Sequence, residues 1–238
     1  MNIIFGLGVA VFVIIWFIKI LDLYNKQTRK FHGYNHAKRV LKRHKLQKGI
    51  IAFGSARLPD NCKEMLEIEE IGNDCAKYIV NNNKKISFIT GGGPGVMKAW
   101  LKAGFHNNIQ TAGFNMTLDN EQQLNKYADP YLSYTFTNFP ARKQTMFDYA
   151  IAYVIFVGGL GTMDELFNTW MYIQNNKAEK KPIFLYPKSF YKDIINLADK
   201  FVAEGTIKKE DIDLLVFCET KEELLEKLHN VIDNCQSM

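Results

Sequence analysis

Cysteine is sparse in this 238-residue chain and poorly placed for metal or disulfide chemistry. Its four cysteines, Cys62, Cys75, Cys218 and Cys235, are scattered, with no C-x-x-C pair and no histidine cluster beside them. That pattern argues against a zinc site or a disulfide framework and fits a reducing compartment. Among the five histidines, His32 and His36 stand four apart, but in a basic stretch with no carboxylate nearby. They read as part of a solvated linker, and no metal site is expected. Internal repeats and low-complexity segments are absent too.

Acidic residues are missing altogether between Leu23 and Lys48, where nine Lys or Arg occur. Just before this stretch lies "NIIFGLGVAVFVIIWFIKIL", with Lys19 as its one charge. About 20 apolar residues suffice to cross a bilayer as a helix. Nothing basic precedes the run and no small-residue cleavage site follows it, so a signal peptide is disfavoured. Residues 3–21 are therefore expected to be a single-pass anchor. The positive-inside rule then puts the rest of the chain in the cytoplasm. The domain scheme is an anchor over 1–23, a basic juxtamembrane linker over 24–48 and a globular domain over 49–238. Residues 1–22 cancel and residues 23–48 carry nine positive charges, which leaves 20 basic against 24 acidic residues for 49–238. The basic balance belongs to the arm, where it suits anionic lipid. The globular part has no nucleic-acid footprint, and no nucleic-acid partner is expected.

From Gly49 on, strand and helix patterns alternate. Short apolar runs at 49–54, 85–90, 109–114, 131–137, 152–157, 181–186 and 214–218 read as strands, with amphipathic helices between them. Near-continuously apolar strands in such an alternation imply a parallel sheet covered on both faces. The fold class is α/β, a Rossmann-like doubly wound sheet. The polar stretch 115–130 fits no regular element.

Ligands of such sheets sit beyond the carboxyl ends of the strands. Three strand ends here are rich in small residues: "FGSAR" (53–57), "TGGGPGVM" (90–97) and "VGGLGT" (157–162). Glycine lets backbone approach a ligand, and a helix N-terminus offers unpaired N–H groups, so a phosphate is the natural guest. The G-x-x-x-x-G-K-[ST] loop of NTPases is missing. So is G-x-G-x-x-G: after Gly91 and Gly93 the third position is Val96, and after Gly159 and Gly161 it is Asp164. A mononucleotide fits better than a dinucleotide. Thr162 and Glu165, three apart, also spell a T-x-x-E capping box, a purely structural reading. Arg142 and Lys143 lie near the start of the preceding helix, where they oppose its dipole and so serve an anion.

In order, type and spacing, "GSAR", "GGGPGVM", "ARKQTM" and "GGLGTMDE" resemble the LOG family, the cytokinin riboside 5′-monophosphate phosphoribohydrolases and their bacterial relatives. Arg142 to Gly158 spans the family's 16 residues. Val157 stands where the family has proline, a structural position. The resemblance implies hydrolysis of the N-glycosidic bond of a nucleoside 5′-monophosphate, AMP or an N6-modified AMP, to free base and ribose 5-phosphate. It makes Arg142 and Glu165 catalytic. It assigns substrate and phosphate binding to Ser55, Gly91, Gly92, Gly93, Gly95, Lys143, Gly158, Gly159, Gly161 and Thr162. It implies no cofactor and a homodimer. The alternative reading is a membrane-tethered mononucleotide-binding module without turnover.

Overall fold

The computed structural model describes residue 19 and residues 33–117 and 123–235. Seven parallel strands form one sheet in the order β4-β3-β2-β1-β5-β6-β7. They are β1 (Gly49–Phe53), β2 (Ser87–Thr90), β3 (Thr111–Met116), β4 (Tyr134–Phe136), β5 (Ala150–Ile155), β6 (Ile183–Leu185) and β7 (Leu215–Phe217). The α/β, doubly wound expectation holds. Strand order reverses between β1 and β5, whose register runs from Gly49 opposite Ala150 to Phe53 opposite Ile155.

Alternation along each strand divides the core in two. Ile50, Ala52, Phe88, Ala152 and Val154 face one layer, built from α2 (Lys63–Asn81), α3 (Val96–His106) and α8 (Lys221–Asn234). Ile51, Phe53, Ile89, Tyr153 and Ile155 face the other, built from α4 (Phe139–Tyr149), α5 (Leu160–Gln174) and α6 (Lys192–Ala203). Both faces of every central strand are thus apolar, which is why the strands read as continuous runs. Trp100 of α3 is fully buried and stacks on Phe88 at 4.3 Å between ring centroids. Gly72 lets α2 close on α3, since a Cβ there would stand 2.8 Å from that of Ala103.

Residues 33–43, inside the stretch read as a linker, form a helix, α1. Its polar face carries Lys38, Arg39, Lys42 and Arg43, while Ala37 and Leu41, one helical turn apart, are wholly buried in the second layer. Tyr34 donates a hydrogen bond to Asp148 of α4, and Lys38 pairs with the same carboxylate at 3.2 Å.

The single-pass membrane localisation is corrected. Apart from Lys19, the apolar run 3–21 lies outside the described residues, and among those residues no helix is long and apolar enough to cross a membrane. The longest helix among the described residues, α2, carries Glu64, Glu67, Glu69, Glu70 and Asp74 on its polar side. Such helices are built to cover a sheet, with one apolar face and one wet one.

Strand boundaries shift by up to three residues from the sequence reading, and two of these shifts bear on the site. β3 extends through Asn115 and Met116. β4 keeps only Tyr134–Phe136, because the Asp129 carboxylate accepts the Tyr131 N–H at 2.8 Å and holds Asp129–Leu132 in a turn.

Candidate active site

A cavity of about 540 Å³ opens over the carboxyl ends of β1, β2, β3 and β5, at the point where strand order reverses. Its wall includes Ser55 and Arg57 after β1, Gly91 and Met97 after β2, Asn115 and Met116 at the end of β3, and Gly159–Thr162 after β5. Phe139 and Arg142 come from α4, Asp164 and Glu165 from α5.

α5 begins one turn earlier than the capping-box reading places it. Gly159 is the N-cap, no side chain caps the helix, and Thr162 is already its third residue. The amides of Thr162 and Met163 both donate to Gly159 O at 3.0 Å. Those of Leu160 and Gly161 have no acceptor among the described residues, so the positive end of the helix faces the cavity with N–H groups to spare. Glu165 does not turn back to the cap. It crosses to α4 and pairs with Arg142, the two being 8% and 9% exposed. The Arg142 Nε–H also donates to Phe114 O at 2.7 Å. α4 itself starts at a side-chain cap, Asn138 accepting from Ala141 N–H at 2.9 Å, which fixes the turn that presents Arg142.

The glycines of the three turns divide by what surrounds them. A Cβ on Gly91 would lie 2.7 Å from the Arg142 guanidinium, so this residue makes room for the arginine. Gly92 and Gly95 have φ of +75° and +62°, and side chains there would strike Gly113 and the Ser55–Ala56 backbone. Gly93 accepts the Asn125 side-chain amide at 3.0 Å. A Cβ on Gly158 would meet Thr162 Oγ1 at 2.1 Å. A Cβ on Gly159 or Gly161, by contrast, would meet nothing within 4 Å, and φ is not positive there. Close packing explains Gly91, Gly92, Gly95 and Gly158; Gly159 and Gly161 face open space.

Of the residues singled out from sequence, Ser55, Gly91, Arg142, Gly159, Gly161, Thr162 and Glu165 line the cavity. Gly92, Gly93, Gly95, Gly158 and Lys143 stand behind it, and the Lys143 ammonium is held by Asp164 at 2.8 Å. Sequence reading passed over Arg57, Met97, Phe139, Leu160 and Asp164 as site residues; Asn115 and Met116 fall at the start of the polar stretch 115–130, which was expected to shape the pocket. Arg57 and Met97 lie within the quoted motifs, so the signal was present. Asn115 carries no local mark, since only the extra length of β3 brings it to the wall.

A family model described as "possible lysine decarboxylase" matches residues 97–228, more than half of the chain. The probable cytokinin riboside 5′-monophosphate phosphoribohydrolase LOGL2 of Oryza sativa subsp. japonica is 31% identical over 87 residues. Those residues are 37% of this chain and 36% of the relative. The cytokinin riboside 5′-monophosphate phosphoribohydrolase LOG3 of Arabidopsis thaliana is 30% identical over 87 residues, 37% of this chain and 40% of that one. The chain thus spans well under half the length of the curated relatives it matches. Among solved structures, a structural-genomics target is similar with a TM-score of 0.51 and 17% identity over 77% of this chain and 99% of its own. The molybdenum cofactor binding protein of the phototrophic bacterium Rippkaea orientalis has a TM-score of 0.53 at 16% identity, over 77% and 95%. These two show a shared fold and no more. With the family model covering β3, α4 and α5, which carry Asn115, Arg142 and Glu165, the chain is a member of the LOG family.

Proposed function

We propose that this protein hydrolyses the N-glycosidic bond of a nucleoside 5′-monophosphate, AMP or an N6-modified AMP, releasing free base and ribose 5-phosphate. The observation that carries the reading is the buried Arg142–Glu165 pair in the cavity wall, beside a helix start whose glycines face open space. Cleavage of an N-riboside passes through an oxocarbenium-like state, and a carboxylate near C1′ stabilises that charge and orients the attacking water. Glu165 takes this role. Arg142 holds the carboxylate in place and balances its charge in the free protein. The phosphate sits on the amides of Leu160 and Gly161, with the ribose toward Glu165.

The decarboxylase description of the matched family suits the site less well. Among the described residues no lysine lines the cavity, and Lys143 is tied to Asp164, so these residues offer no amine for a pyridoxal Schiff base. A homodimer is part of the proposal. Leu160, 90% exposed, and Phe139, 48% exposed, stand at the cavity wall as apolar surface that a second copy would cover, and light scattering tests it.

The test is a Glu165→Gln variant, which keeps shape and an acceptor oxygen for Arg142. Ribose 5-phosphate release from AMP should fall by about 10²- to 10⁴-fold while AMP binding persists. Equal rates in the two proteins would remove Glu165 from the chemistry. Binding without release in the wild type would leave a nucleotide-binding module.

A further inference from the structure

The charges around the cavity do not match in number, and the odd one points to the phosphate. Arg142 is committed to Glu165 and Phe114 O, and Lys143 to Asp164. Arg57 also lines the cavity, yet among the described residues its guanidinium has no acid partner and no hydrogen bond. It is an exposed cation with a free fork of donors at the mouth of the site.

Its backbone, in contrast, is held firmly. The Ser55 N–H donates to Val157 O at 3.0 Å, which ties the β1 loop to the turn before α5. The Val96 N–H donates to Ser55 O at 2.9 Å, which ties the same loop to the start of α3. The Arg57 N–H donates to Ser55 Oγ at 3.0 Å and closes a small turn. Gly158 and Gly95 press on this loop from either side, close enough that a Cβ on them would touch Ser55 or Ala56. Arg57 is therefore a long side chain on a fixed base, two residues from the contact with the Gly158 turn.

We propose that Arg57 is the residue that distinguishes nucleotide from nucleoside, its guanidinium closing on the 5′-phosphate held at the start of α5. This rests on the reading of the cavity as a nucleoside monophosphate site. The helix terminus supplies only partial positive charge, and a phosphate carries up to two negative ones. The charge of Arg142 is already balanced by Glu165 and leaves no net positive charge for a phosphate. A guanidinium fits a phosphate edge with two parallel hydrogen bonds, which an ammonium does not.

Titration calorimetry on the full chain with ribose 5-phosphate, AMP and adenosine tests this whether or not the protein turns over. In Arg57→Ala, binding of ribose 5-phosphate and AMP should weaken by about 10- to 100-fold, with adenosine unchanged. Arg57→Lys should recover part of that loss. Wild-type affinity should fall with added salt more steeply than that of Arg57→Ala. The melting temperature should not move, since among the described residues the guanidinium has no ion-pair or hydrogen-bond partner in the free protein. Unchanged phosphate-ester affinity in Arg57→Ala, or an equal loss for adenosine, would overturn the proposal. Failure of the hydrolase reading would appear separately, as binding with no ribose 5-phosphate released.

Discussion

At the scale of single residues, the central fact is that Glu165 and Arg142 neutralise each other in a buried position. Such a pair contributes modestly while intact, but removing one partner strands a buried charge and costs about 3–5 kcal/mol. Arg142→Ala should therefore lower stability by that amount, read from the denaturant midpoint; Glu165→Gln also leaves a buried charge unbalanced but keeps an acceptor oxygen for the guanidinium, and should cost less. This asymmetry makes the glutamine variant the cleaner probe of chemistry. The sequence showed both residues, but not their pairing. Thr162 and Glu165 three apart read as a cap, and only the start of α5 at Leu160 frees the carboxylate to cross to α4. Arg57 was hidden for a different reason. A charge acquires its meaning from which neighbours are already paired, and that is a property of three dimensions.

Two helix features carry predictions of their own. Gly161 is the second residue of α5, with open space where a Cβ would go. Alanine suits a helix better than glycine by up to about 1 kcal/mol, so Gly161→Ala should leave stability equal or slightly higher. It should nonetheless weaken nucleotide binding if the phosphate docks on these amides as proposed, because the new methyl would stand in its approach. A loss of stability together with intact binding would show that this glycine serves the fold alone. The second feature joins α2 and α8. The His229 ring stacks on Tyr78 at 3.6 Å, its Nε2 buried with no hydrogen-bond partner among the described residues. Burial lowers its proton affinity, against the opposing pull of Asp233 and Asp74. The unfolded chain then binds the proton more tightly than the folded one, so stability should fall as pH drops through the ordinary histidine range near 6.5. Denaturant midpoints at pH 7.5 and 5 should differ less in His229→Gln than in the wild type.

For the whole molecule, the sheet was legible because every central strand is apolar on both faces, a pattern that survives without tertiary information. α1 was not legible, since Lys38, Arg39, Lys42 and Arg43 dominate its composition while its buried contribution comes from Ala37 and Leu41. Leu41→Ala should cost about 2–5 kcal/mol, as for other buried leucines. A fragment starting at Gly49 should consequently be much less stable than one that keeps residue 33 onward. Within the glycine-rich turns, Gly91, Gly92, Gly95 and Gly158 proved to be packing devices around Arg142, Thr162 and the β1 loop, whereas Gly159 and Gly161 face open space at the cavity. Sequence alone could not separate these uses, because glycine looks the same whether it makes room for a neighbour or for a guest. The measurement that tests the account most directly is product analysis of the full-length chain incubated with AMP and an N6-modified AMP. The account predicts free base and ribose 5-phosphate in equal amounts, with neither nucleoside nor inorganic phosphate. Nucleoside plus phosphate, or intact nucleotide despite measurable binding, would contradict it.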